Sequence, residues 1–253
     1  MRARRENKGV FPQSKEKVIT GEFSSRTHPT LDTGGFLINS LIMIEYSKHS
    51  HSLPQKTFLV VLEIFIIFLS WQIIRTGEAD PVHKLILLTS NILIFLFYLP
   101  TILVFVRRGI SWMEAMNISL AFGLYFLGFP YLGRNTRFSH VDFVGLFIII
   151  SGLLIHFVSE LQRHKFKKIH PGRLMTNGLW SLSRHINYFG DLVWVTGFAI
   201  LTRNPISFII PVILFIFFYF FNIPLLEKHL ANRYGEEFER YKNSTKSLIP
   251  YII

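Results

Sequence analysis

Apolar residues in this chain are gathered into long, nearly unbroken runs separated by short polar segments, a pattern that favours helices surrounded by lipid over the striped helices of a water-soluble core. Six candidate spans follow, at about Phe58–Ile74, Leu85–Val106, Trp112–Leu132, Val141–Leu161, Tyr188–Leu201 and Ser207–Ile223. The fifth is short for a crossing. Asn204-Pro205 predicts a tight turn after it, so the last two spans should form a helical hairpin. Beyond Pro224 the pattern becomes amphipathic over Leu225–Lys242, with Glu227, Tyr234 and Tyr241 recurring every seven residues. Such a helix is expected to fold back along the membrane face. Ahead of the first span, residues 1–56 are polar and basic, broken by Pro12, Pro29, Gly34 and Gly35, with one apolar patch, Phe36–Ile44, too short to span. A surface helix is expected near Leu37–Tyr46. No apolar stretch close behind the basic start suggests a cleavable signal peptide. The predicted fold is an all-α, multi-pass integral membrane bundle of about six helices. Its organisation is a basic arm (1–56), an N-terminal group of transmembrane helices (57–139) and a C-terminal membrane region (140–253).

Composition supports this class. Of the 253 residues, 50% are hydrophobic and 26 are phenylalanine, a side chain with no polar atom to satisfy against lipid tails. The formal charge of +11 is ambiguous between nucleic acid and membrane, so its distribution decides. Lys and Arg number 9 in the arm, 2, 2, 2, 6 and 1 in successive loops, and 5 in the tail. Alternate segments then hold 22 on one side and 5 on the other, which predicts both termini, the loop from Gln162 to Ile186 and the tail in the cytoplasm. Nucleic acid is not an expected partner; the bilayer and a lipophilic small molecule are. Oligomeric state has no signal in the sequence. With no cysteine, thiolate catalysis, disulfides and Cys-held metals are excluded.

Hydrogen-bonding side chains are densest in Gly178-Leu-Trp-Ser-Leu-Ser-Arg-His-Ile-Asn-Tyr-Phe-Gly-Asp191. If the helix starts at Arg184, then Arg184, Asn187, Tyr188 and Asp191 project from one face, at a bilayer boundary where unpaired polar groups are costly. Interfacial anchoring explains Arg184 and Tyr188 but not Asn187 and Asp191 facing the same way. The preceding loop supplies Arg163, Lys165, Lys167, Lys168 and Arg173, and Trp180 offers a flat wall. Together they suit an anionic cofactor carrying phosphates and an aromatic ring; contact with lipid headgroups is the plainer use of the lysines. The fold-back helix would close this pocket, pointing Glu227, His229 and Arg233 toward the basic loop. No histidine pair has metal-ligand spacing on a helical face, and there is no glycine-rich dinucleotide or phosphate loop, so no metal site and no soluble nucleotide domain is predicted.

That stretch resembles the Gly-Leu-Trp-x-x-Ser-Arg-His-Pro-Asn-Tyr-Phe-Gly signature of bacterial membrane proteins related to steroid 5α-reductases. It is similar, too, to the Arg-His-Pro-Asn-Tyr-x-Gly-Asp block of sterol reductases that act on ring double bonds. The tail, from Glu227 through Tyr234-Gly-Glu-Glu-Phe-Glu-Arg-Tyr241 to Ile249-Pro250-Tyr251, looks like the end of the same proteins. Isoprenylcysteine carboxyl methyltransferases share the Arg-His-Pro-x-Tyr-x-Gly pattern and a downstream Glu. The likeness runs from about Val141 to the C-terminus, and Trp180, Asn187, Phe189, Gly190 and Asp191 bring it nearest the reductase branch. The reductase resemblance implies NADPH held at the cytoplasmic helix ends, with hydride passed to a polarised carbon–carbon double bond of a lipid or steroid-like enone. Arg184, His185, Asn187, Tyr188 and Asp191 would contact cofactor, assisted by Lys165, Arg173 and Trp180, with Glu227, Arg233, Tyr234 and Tyr241 added from the tail. The methyltransferase resemblance implies S-adenosylmethionine in the same place. A third reading keeps the fold as a non-catalytic lipid-binding protein. One departure stands out: Ile186 occupies the position where these families have Pro. For a catalytic acid, Glu160 near the end of span four and Tyr125 within span three are the candidates, because such groups in a membrane are expensive unless used or paired. Tyr125 has simple packing as its alternative role, and Glu160 a pairing with Arg163 or Arg184.

Overall fold

The computed structural model describes residues 52–106 and 108–253, so the expectations for the basic arm and its surface helix lie outside the described residues. Those described form helices and connecting turns. Five helical runs are long and apolar enough to cross a membrane: α1 (Leu53–Thr76), α2 (Pro81–Phe105), α3 (Trp112–Gly133), α4 (Val141–Ile169) and α6 (Pro205–Tyr234). Between α4 and α6 lies a shorter apolar helix, α5 (Ile186–Thr202), and α7 (Glu236–Ser244) closes the chain. The fifth predicted span is, as expected, short: a helix of 17 residues, about 26 Å long against the roughly 30 Å hydrocarbon core. Outer faces carry large apolar side chains such as Leu120, Phe147 and Phe220, all more than half exposed, as lipid contact requires.

Local chemistry sets the helix ends. Pro81 opens α2 at a position whose N–H would have no helical partner, and Ser111 caps α3 by accepting from the Glu114 backbone N–H at 3.1 Å. Within α2, α3 and α6 a five-residue π turn appears, at Thr101–Phe105, Leu124–Gly128 and Phe218–Asn222, each beside a proline: Pro100, Pro130 and Pro224. A proline cannot return a hydrogen bond to the carbonyl four residues back, and the wider turn makes room for its ring. At Pro130 that carbonyl belongs to Phe126, and the buried Asn91 supplies the missing donor through Nδ2 at 3.2 Å while also donating to Ser70 Oγ at 2.7 Å.

The tightest packing joins α4 to α5. A Cβ on Gly152 would stand 2.4 Å from the Trp194 backbone N and 2.6 Å from Gly190 O, and one on Gly190 would stand 2.7 Å from His156 N. Gly145 and Gly197 repeat the contact two turns away, where a Cβ on Gly197 would meet Ile149 N at 2.8 Å. Small residues at seven-residue spacing on both helices let the backbones touch, the usual way membrane helices gain packing when lipid offers no hydrophobic drive. At the end of α5, Arg203 adopts left-handed backbone (φ 51°) and donates to both Asp142 oxygens at 2.7 and 2.8 Å, while His83 Nδ1 lies 2.9 Å from Asp142. This buried cluster pins α2, α4 and the α5–α6 turn at the end remote from the tail.

Two boundaries differ from expectation. The last span does not stop at Ile223 but continues to Tyr234, and the single amphipathic helix expected over Leu225–Lys242 is two pieces separated at Gly235. Gly235 has φ 52°, a conformation that side chains disfavour, and Glu236, Glu237 and Glu239 then begin α7 where the helix dipole favours negative charge. The break turns the stripe without dispersing it. Tyr234 and Tyr241 still face the same cavity.

Candidate functional site

At the tail end of the bundle, the end of α2 and helices α4, α5, α6 and α7 line a cavity of about 310 Å³ whose walls are largely apolar but carry many charged and polar side chains, called the polar cavity below. Glu160, Trp180, Arg184, His185, Asn187, Tyr234 and Tyr241 all line it, seven of the residues singled out in the sequence. Glu160 is buried, paired with Arg163 and accepting from Asn187 Nδ2 at 3.0 Å. Trp180 is fixed by its Nε1–H to Ser159 O at 2.9 Å and by Tyr241, whose hydroxyl donates to the Trp180 carbonyl. Burial pushes the Tyr241 phenol well above its ordinary range, so it remains a donor. Arg163 stacks over the Trp180 ring at 5.3 Å, and Lys167 donates to Tyr234 Oη at 2.8 Å.

Arg184 has a different place from the one its spacing suggested. Helix α5 begins at Ile186, and the backbone N–H groups of Arg184 and His185 instead donate to the Lys246 and Ser247 carbonyls of the tail, each at 2.9 Å. Its guanidinium, 8% exposed, meets Glu227 at 2.7 Å and donates to the carbonyls of Lys242 and Thr245. Arg184 therefore clamps α6, α7 and the final segment over the cavity. Beside it, His185 Nε2 lies 3.3 Å from Glu227, and burial holds the imidazole below the ordinary histidine pKa against the opposing pull of that carboxylate.

Other predicted residues lie elsewhere. Lys165, Arg173 and Arg233 are exposed and do not line the cavity. Tyr188 turns toward α6, stacking on Phe218 at 4.5 Å and accepting from Asn222 Nδ2 at 3.2 Å. Asp191 and Tyr125 line a second, mostly apolar cavity of about 470 Å³ formed by α2, α3, α5 and α6. Its walls include Phe122, Leu124, Ile213 and Phe217, the last three of which reach lipid or its immediate border through α3 and α6.

Two residues that periodicity did not single out join Asp191 here: Tyr98, which lines this second cavity with it, and His156, which is buried behind it. Tyr98 donates its hydroxyl to the Asp191 carboxylate and accepts from Trp194 Nε1 at 3.0 Å. His156 Nδ1 meets the same carboxylate at 2.7 Å, and its Nε2 approaches Thr101 Oγ1 at 3.4 Å. The contact of α4 with α5 is what brings His156 to Asp191. On α5, Asn187 lines the first cavity and Asp191 the second; on α4, Glu160 lines the first, and His156, one turn before it, is buried behind Asp191. Each pair is one helical turn apart, about 6 Å along the axis, so residues of neighbouring turns serve the two cavities.

The chain is similar to known proteins over much of its length. Residues 71–245 match the family described as "Protein of unknown function (DUF1295)". A probable protein-S-isoprenylcysteine O-methyltransferase of Oryza sativa subsp. indica is 29% identical over 119 residues, 44% of this chain and 62% of that protein. The protein-S-isoprenylcysteine O-methyltransferase of Saccharomyces cerevisiae is 34% identical over 99 residues, 38% of this chain and 40% of that one. The Delta(14)-sterol reductase of Schizosaccharomyces pombe is 34% identical over 101 residues, 37% of this chain and 23% of that one. The chain thus spans less than two thirds of each of these relatives. With the family match covering well over half of it, and relatives of both catalytic kinds similar to it, the chain belongs to the DUF1295 family, within the superfamily of membrane sterol reductases and isoprenylcysteine methyltransferases.

Proposed function

We propose that this protein is a membrane-embedded, NADPH-dependent reductase of a carbon–carbon double bond in a lipid or steroid-like enone. The observation that carries the reading is the Tyr98–Asp191–His156 unit, whose tyrosine and aspartate line the apolar cavity. Reduction of a conjugated double bond adds hydride at one carbon and then requires a proton at its neighbour, whereas methylation of a carboxylate requires none. A phenol held between an indole donor and a carboxylate, at the polar end of an apolar cavity, meets that requirement. Tyr98 takes the acid role in this reading, because Glu160 is committed to Arg163 and Asn187 and Tyr125 packs edge-on against Trp194 with ring centroids 5.2 Å apart.

The residues of the polar cavity fit the cofactor chemically: Trp180 and Tyr241 give a ring an aromatic wall, Asn187 offers an amide, and Arg163 and Lys167 stand for phosphate contact. When bound, NADPH supplies hydride. Tyr98 delivers the proton, the Trp194 N–H stabilises the phenolate left behind, and His156 with Asp191 orients the phenol and returns a proton to it. By the charge distribution, this end of the bundle faces the cytoplasm, where the cofactor is found.

A second reading, transfer of a methyl group from S-adenosylmethionine, has one observation in its favour. Three arginines lining the polar cavity carry carboxylate partners, Arg163 with Glu160, Arg184 with Glu227 and Arg108 with Glu114, and a small aromatic site with balanced charge suits a sulfonium. The mechanism separates them. In vesicles holding a conjugated enone lipid, wild-type protein should consume NADPH, and Tyr98→Phe should lower turnover by about 10²–10⁴-fold while binding NADPH unchanged. Full turnover by Tyr98→Phe would remove the phenol from the reaction.

A further inference from the structure

A third cavity, about 770 Å³, lies on the outer side of the Arg184 clamp and belongs to neither chamber described above. One wall is apolar, made by Tyr219, Ile223 and Ile252; the rim carries Lys228, Lys242 and Lys246. Among the described residues these three lysines make no ion pair, whereas Arg184, the other cation lining the cavity, is neutralised by Glu227. The groove therefore holds three uncompensated positive charges beside an apolar strip.

Its depth in the membrane follows from α6. That run has 30 residues, and about 20 of them cross the hydrocarbon core, so counting from Pro205 the boundary falls near Pro224. Ile223 and Tyr219 are then at the acyl side, and Lys228, one turn beyond Pro224, is at headgroup level. Apolar wall inward and lysines outward is the order in which a phospholipid presents its acyl chains and its phosphate. Arg184 stands between the groove and the first cavity and lines both, its guanidinium taken up by Glu227 and the Lys242 and Thr245 carbonyls.

We propose that this groove is a binding site for one anionic phospholipid, its phosphate held by Lys228, Lys242 and Lys246 and its acyl chains lying on Tyr219, Ile223 and Ile252. A lipid seated there would bridge α6, α7 and the final segment, the same three pieces that Arg184 draws together from inside.

The test is native mass spectrometry of the full chain in detergent, titrated with phosphatidylglycerol or phosphatidylcholine. Wild-type protein should retain one phosphatidylglycerol with a preference on the order of tenfold or more. The variant Lys228→Gln/Lys242→Gln/Lys246→Gln should lose that preference to within about twofold, and the matching Lys→Arg variant should keep it. Replacing the exposed cations of the other loop, Lys165→Gln/Lys168→Gln/Arg173→Gln, should leave it intact. Equal retention of the two lipids, or a preference that survives the groove substitutions or disappears with the loop substitutions, would overturn the proposal. So would displacement of the lipid by millimolar inorganic phosphate, which would mark a free-anion site, or by NADPH, which would make the groove part of the cofactor site.

Discussion

Ile186 illustrates how a motif residue can change without changing the backbone it serves. Proline is favoured at the first position of a helix because its fixed φ suits that turn and its missing N–H has no partner there in any case. Ile186 occupies that first position, is 2% exposed, and packs with Met175 and Trp180, so burial takes the place of conformational restriction. One residue earlier, His185 gives the clamp a pH dependence. Because burial depresses its folded-state pKa, protonation favours the undocked form: stability from this group is full above the unfolded value of 6.5 and is lost as pH falls below it toward the folded value. Limited proteolysis of the tail should therefore speed up between about pH 6.5 and pH 5, and His185→Gln should flatten that dependence. A rate independent of pH in the wild type would show that His185 does not report on tail docking. At this scale the sequence was readable where a residue's partners are near it in the chain and opaque where they are not. Asn187, Trp180 and Glu160 were visible as polar groups beside a basic loop, but Tyr98 meets Asp191 across 93 positions and His156 sits inside an apolar run. Arg184 misled the periodicity because its backbone bonds run to the tail and hold it outside the helix.

Among the elements, α4 and α5 decide where chemistry can occur. Their glycine seam sets Asp191 against His156, and the one-turn offsets along both helices divide polar from apolar chamber. A side chain on the seam must push the helices apart: Gly152→Val should cost about 1–3 kcal/mol or more, read as a lower melting temperature in detergent, and should reduce turnover beyond the loss of folded protein. A variant as stable and active as wild type would mean the close approach is not needed. The π turns contribute at the same level, since Phe105, Tyr125 and Phe218 all come from them and all face a cavity. The number and order of apolar helices were legible from run length alone. Run length also showed the fifth as short for a crossing; what it could not convey was that the sixth continues past Pro224 or that Gly235 divides the last amphipathic stretch, because these depend on how each helix meets its neighbours.

As a whole the molecule is polarised. Its tail end carries the polar cavity, the clamp and the lysine groove, and the interior beneath carries an apolar chamber reaching toward lipid through α3 and α6. That arrangement suits a reaction between a water-soluble cofactor and a membrane-borne substrate, each arriving from its own phase. Charge asymmetry along the sequence pointed to the end where the basic loop and the tail meet, while the presence of two chambers required the packed structure, since Asn187 and Asp191 share a helix face yet open into different spaces. The choice of cofactor is the centre of the functional account, and calorimetric titration of the purified protein with NADPH and, separately, with S-adenosylmethionine tests it directly. The account predicts saturable binding of NADPH at one site per chain, weakened by Asn187→Leu, with no heat from S-adenosylmethionine; saturable binding of S-adenosylmethionine without NADPH binding would contradict it.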